Sequence, residues 1–196
     1  STRLGWLRTV DAERLLNALP DAATCHRNLP VGNFVSPGDR LCTVWADDPD
    51  PDLAERVEAA FGLGVTRAPT EDISFGLRNL VDIALAGTTD GADRTNTREA
   101  IEHLEAVLRP LVVRDGPPRV HRDDRGRRLI RSDDDDCMVY LADALEDLYD
   151  AVRDARTRRL LDATVDNLID AAETAGRSDR ARAIESMCST MGTSVA

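Results

Sequence analysis

Lysine is absent from this chain of 196 residues; all 25 of its basic side chains are arginine. Without lysine there is no Schiff-base amine, no P-loop lysine and no attachment point for biotin or lipoate. Aromatic residues are scarce at 4% beside an ordinary apolar content of 42%, so the core is expected to be aliphatic. No apolar run approaches the roughly 20 residues that a helix needs to cross a bilayer. The four cysteines, Cys25, Cys42, Cys137 and Cys188, include no C-x-x-C pair, which leaves a structural zinc site without support. His26, His103 and His121 form no H-x-x-x-H or H-x-H pair. Also missing are G-x-S-x-G, G-x-G-x-x-G and H-E-x-x-H, the sequence marks of a serine hydrolase, a dinucleotide site and a zinc protease.

What the chain has in quantity is acid. Its 36 carboxylates set a formal net charge of −11. Such a surface repels phosphates and anionic headgroups, which argues against a nucleic-acid partner. The basic segment Arg119–Arg131 is offset by Asp123, Asp124 and the run Asp133–Asp136, and reads as a solvated hairpin. Cys25 and Cys42 fall in one short β-rich region and are expected to stay reduced, as in a cytosolic environment. No signal peptide is visible, and Ser1-Thr2-Arg3 reads as the start of an excised fragment.

The most informative stretch is Val31–Trp45, which reads as a β-hairpin turning at Ser36-Pro37-Gly38-Asp39. A strand over Leu4–Val10, a short helix Ala12–Leu19 capped by Asp11, and a strand over Ala22–Arg27 precede it. Residues 1–46 are therefore expected to form a small β module of barrel-sandwich type. A linker and a helix over Leu53–Phe61 fill 47–69. Residues 70–196 are expected to be an α-helical domain, with one hairpin at Val120–Ile130 turning through Asp123–Gly126. Its first helix is capped by Thr70, carries Glu71 and Asp72 in its first turn and closes at Gly87. The next starts at an Asn96–Glu99 capping pair, with Pro110 bending or ending it. Helices with apolar faces Leu141–Val152, Leu161–Ala172 and Ala181–Met191 follow, then a frayed tail. The fold class is α+β: a small β barrel-sandwich-like module followed by a mainly α-helical bundle with one β-hairpin.

Candidate chemistry is thin. Four consecutive aspartates, Asp133–Asp136, lack the spacing of a cation site and read as a solvated helix start. Asp162, Asp166 and Asp170 share one helix face, with Arg158 and Arg159 one turn upstream to neutralise them. Cys25 and His26 are strand neighbours on opposite faces, a poor nucleophile–base pair. Arg78 and Asp82 are spaced to pair on the helix that also carries Asp72.

Two segments resemble a known family. They are V-G-N-F-V-S-P-G-D-R-L, Val31–Leu41, and R-A-P-T-E-D-I-S-F-G-L-R-N-L-V-D-I-A-L, Arg67–Leu85. In order and separation they are similar to the soluble C-terminal region of bacterial predicted membrane proteins containing domain of unknown function 2254. The opening L-G-W-L-R-T-V-D resembles the start of that region. The family's D-x-x-F-G helix is matched by Asp72, Phe75, Gly76, Leu80, Asp82, Ile83 and Ala84. Its following loop, of the type S-P-x-x-N-D-P, is replaced here by Ala86–Thr97, which has neither proline. The resemblance implies membrane helices ahead of this region and brings no activity, substrate or cofactor.

The reading is a non-catalytic soluble domain of a membrane-anchored bacterial protein, on the cytoplasmic side, that contacts a second copy or another partner. It needs no cofactor and no metal. The candidate interaction or ligand residues are Asp72, Phe75, Gly76, Arg78 and Asp82. Alternatives are a ligand- or ion-sensing domain of a channel or transporter, and a hydrolase with an unrecognised site.

Overall fold

A computed structural model describes residues 1–67, 72–89, 94–116, 118–131 and 137–192. The expected cap Thr70–Glu71, the acidic run Asp133–Asp136, the loop positions 90–93, the Cys137 side chain and the tail 193–196 lie outside the described residues. The fold is α+β, and the chain forms two compact units. The first comprises Ser1–Phe75 and Pro117–Asp135; the second comprises Gly76–Gly116 and Asp136–Ala196.

The first unit holds two small sheets. Strand β1 (Gly5–Val10) is the centre of a three-stranded antiparallel sheet, flanked by β3 (Phe34–Val35) and β5 (Phe61–Gly64). Helix α1 (Ala12–Ala18) starts at Asp11, whose carboxylate accepts from the Arg14 N–H at 2.9 Å. The expected cap is thus in place. The second sheet has the order β4-β2-β7-β6, from β2 (Thr24–Arg27), β4 (Cys42–Trp45), β6 (Val120–Arg122) and β7 (Arg128–Ile130). Between them α2 (Leu53–Glu58) packs on α1. The core is Leu7, Leu15, Cys25, Val35, Val57, Phe61 and Leu129 with their neighbours. Each large aliphatic side chain buried there contributes about 2 kcal/mol of transfer free energy.

Three sequence expectations are corrected here. Val31–Trp45 is not a hairpin: the turn forms, with the Asp39 N–H donating to the Ser36 carbonyl at 3.0 Å and Gly38 at φ +96°, but β3 pairs with β1 and β4 with β2. The two arms enter different sheets, so the described strands form no closed barrel. Phe61–Gly64 is strand rather than helix end, because its backbone completes the edge of β1. The hairpin β6–β7 forms with the expected turn, Gly126 at φ +74°, yet β7 pairs in parallel with β2. It therefore belongs to the β-rich unit, not to the helical one.

The second unit is helical. It contains α4 (Arg94–Val113), α5 (Cys137–Ala151), α6 (Ala155–Thr174), α7 (Ser178–Gly192) and, from Gly76 onward, α3 (Ile73–Thr89). Its core is Leu77, Val81, Ile101, Leu104, Leu108, Leu141, Leu145, Leu148, Leu161, Leu168 and Ile184, aliphatic as the composition requires. Helix α3 runs through Gly87, and α4 starts before Asn96 and continues past Pro110. Pro110 costs α4 one backbone bond but not its course. The carbonyls that end α4 are received by arginine. The Arg180 guanidinium donates to the carbonyl oxygens of Leu111 at 2.8 Å and Val112 at 3.0 Å, and Arg177 to that of Val113 at 3.4 Å. These orphan carbonyls would otherwise lack intrahelical donors.

Candidate functional site

Asp72 is the polar residue around which the family-like segments gather. It is 4% exposed and lies immediately before α3. One carboxylate oxygen accepts from the Phe75 backbone N–H at 3.0 Å and from the Ser74 hydroxyl at 2.6 Å. The other accepts from Arg67 Nε at 2.8 Å and lies 2.7 Å from Arg67 Nη2. Asp72 therefore caps α3 on its third N–H. Arg67 in turn donates to Ser74 Oγ at 2.9 Å. Its guanidinium carbon stands 4.8 Å from the Phe75 ring centroid and 5.4 Å from that of Trp6, and Trp6 meets Phe34 edge-on at 5.2 Å.

Gly32 makes the close approach possible. It holds φ at +96°, and a Cβ there would sit 2.5 Å from Asp72 Oδ2 and 2.8 Å from Arg67 Nη2. Burial by itself would raise the Asp72 carboxyl. The hydrogen bonds from Arg67, Ser74 and Phe75 outweigh it and hold the group below the ordinary aspartate range. Every strong acceptor site on this carboxylate is thus engaged within the protein. The arrangement is a closed clasp that fixes the start of α3; it presents no free base and no open ligand position.

The five candidate residues do not form one site. Asp72 and Phe75 lie in the clasp. At Gly76 an added Cβ would meet nothing within 4 Å. Arg78 and Asp82 form an exposed ion pair at 3.4 Å further along α3, and Arg78 also bonds Asp147 of α5. Sequence reading gave no role to Arg67, Ser74, Trp6 or Gly32. The signal open to it was the arginine five residues ahead of the aspartate and a glycine within V-G-N-F.

Elsewhere, several polar groups among the described residues are engaged in the same way. Asp162 accepts from the Tyr149 hydroxyl at 2.9 Å, and Arg158 stacks on the Tyr149 ring at 4.2 Å. Burial, then the Asp162 carboxylate, push the Tyr149 phenol above its ordinary value. Asp166 and Asp170 are exposed beside it, and among the described residues no cluster of His, Cys, Asp and Glu is arranged to hold a metal. His103 is exposed, as its periodicity predicts, and its Nδ1 lies 2.7 Å from the Glu99 carbonyl oxygen. A cavity of about 160 Å³ in the first unit is lined by Val10, Ala12, Arg27, His121, Leu129 and Arg131. Both arginines have partners of their own, so it is no vacant anion site. Cys25 and Cys42 do approach each other, as diagonal neighbours across β2 and β4, and neither is in a disulfide.

The family described as predicted membrane protein, DUF2254, matches residues 1–164. The chain belongs to that family. Uncharacterized proteins of Mycobacterium bovis and of two Mycobacterium tuberculosis strains are similar, 32% identical over 132 residues. That match covers 64% of this chain and 25% of theirs, so the chain spans about a quarter of the length of these relatives. No solved structure matches the chain significantly. Among the described residues, no helix of this DUF2254 member is long and apolar enough to cross a membrane. Trp6, Gly32, Phe34, Arg67, Asp72 and Phe75, drawn from the segments that resemble the family, meet in the clasp.

Proposed function

We propose that this part of the DUF2254 protein is a non-catalytic contact domain, held at the cytoplasmic face of the bacterial membrane by segments elsewhere in the protein. Its partner is a second copy of itself. One observation carries the reading: α3 presents an exposed stripe of Arg78, Asn79, Asp82, Ile83 and Ala86, in which Ile83 is 50% exposed beside a cation and an anion paired one turn apart. Such a stripe is complementary to itself. Two copies related by a two-fold axis set Arg78 of each against Asp82 of the other and bury both Ile83 side chains. Anchoring in a membrane raises the effective concentration of such copies, so a weak pairing is enough. The engagement of Asp72 and Asp162 by internal partners supports a structural rather than a catalytic use of the polar residues. Free thiols at Cys25 and Cys42 favour a reducing compartment.

The test is sedimentation velocity over a concentration series. The wild-type chain is expected to shift toward twice the monomer mass, while Ile83→Asp and Asp82→Arg, both at exposed positions, stay monomeric at every concentration. Variants that associate as the wild type does would overturn the assignment of this face.

A further inference from the structure

We propose that Cys42 and Cys25 form a hydroperoxide-reactive pair, in which Cys42 attacks the peroxide and Cys25 resolves the product into a Cys25–Cys42 disulfide. The placement follows from strand register. In the antiparallel pair β2–β4, Cys25 lies opposite Val44 and Arg27 opposite Cys42. Cys25 and Cys42 are thus diagonal neighbours on one face of the sheet. That register brings the two thiols near enough for each to shift the other's proton affinity. The pairing lowers the Cys42 thiol and, together with burial, raises that of Cys25, so the thiolate falls to Cys42. Access is divided the same way: Cys25 is 0% exposed, whereas Cys42 is partly open to solvent. Strand β4 is the edge of its sheet, bonded on one side alone, so its backbone has room for the small shift that bonding distance requires.

The chemistry balances with a hydroperoxide as the named oxidant. A thiolate electron pair on Cys42 attacks the terminal peroxide oxygen, the O–O bond breaks, and the departing alkoxide takes a proton to leave as alcohol, or as water from hydrogen peroxide. Cys42 is then a sulfenic acid. Cys25 then loses its proton and attacks the Cys42 sulfur. The S–O bond breaks and hydroxide leaves as water. The two sulfurs together lose two electrons and the peroxide gains two. Cys188 is the internal contrast: burial, followed by Asp162 and Asp166, raises its thiol and withholds the thiolate.

The experiment treats the reduced wild-type chain with one equivalent of hydrogen peroxide, alkylates the remaining thiols and maps the tryptic peptides by mass. The expected product joins peptide 15–27, which carries Cys25, to peptide 41–56, which carries Cys42, with Cys188 recovered alkylated. In Cys25→Ser, Cys42 is expected to yield a dimedone adduct in place of the link. Oxidation of Cys188 ahead of Cys42, a dominant link to Cys137, or Cys42 reaching sulfinic acid in the wild type without a link would each overturn the proposal.

Discussion

Gly32 carries two demands at once, a backbone conformation that side chains resist and a space already filled by Asp72 and Arg67. Gly32→Ala is therefore expected to destabilise the first unit by about 2–4 kcal/mol, read as a lower urea midpoint with an unchanged m-value. An alanine variant as stable as the wild type would mean that the clasp opens freely. Asp72 makes a second prediction, in pH. Its carboxyl is held below the ordinary aspartate value in the folded chain, so the unfolded chain binds the proton more readily. Its contribution is fully present above about pH 5 and is lost as pH falls through the ordinary aspartate value toward the folded one. Asp72→Asn should flatten the acid limb of stability against pH and lower stability at pH 7 by about 2–4 kcal/mol, because Arg67 is left without its carboxylate. An acid limb that keeps its slope in the variant would assign the transition to other carboxylates.

At the scale of elements, the ends of helices show what short-range sequence controls. Asp11 and Asp154 cap α1 and α6 through their own side chains, accepting from N–H groups three residues or fewer downstream. The end of α4 is different, since its carbonyls depend on Arg180, some seventy residues further along. Arg180→Ala is expected to cost about 2 kcal/mol, the scale of hydrogen bonds from a charged donor, and to speed amide exchange in the last turn of α4 ahead of its middle. Uniform exchange along α4 would contradict that role. The same contrast decides what the sequence could reveal. The Asp11 cap and the Asp123–Gly126 turn are written in neighbouring residues and were legible, whereas Asp154 was passed over and the expected cap at Asn96 falls inside α4. The partition of β3 and β4 between two sheets was not, because their partners β1 and β2 impose it from outside the turn. Nor was the parallel pairing of Cys25 with Leu129, which closes over about a hundred residues. The candidate site was half legible: the D-x-x-F-G stretch drew attention to Asp72 and Phe75, but Trp6 and Gly32 reach them through tertiary folding.

At the scale of the molecule, the polar groups best shielded from water among the described residues hold their own unit in shape. The described carboxylates that are best shielded from water, Asp72 foremost, face arginines, hydroxyls or backbone N–H groups of the same unit. On the surface, the α3 stripe combines exposed apolar area with paired opposite charges. The measurement closest to this claim is the mass of the wild-type chain by sedimentation equilibrium across a hundredfold range of concentration, at low and at high salt. The account predicts a reversible monomer–dimer equilibrium that weakens as salt screens the Arg78–Asp82 contacts. A single species of 21.5 kDa at every concentration and salt would contradict it.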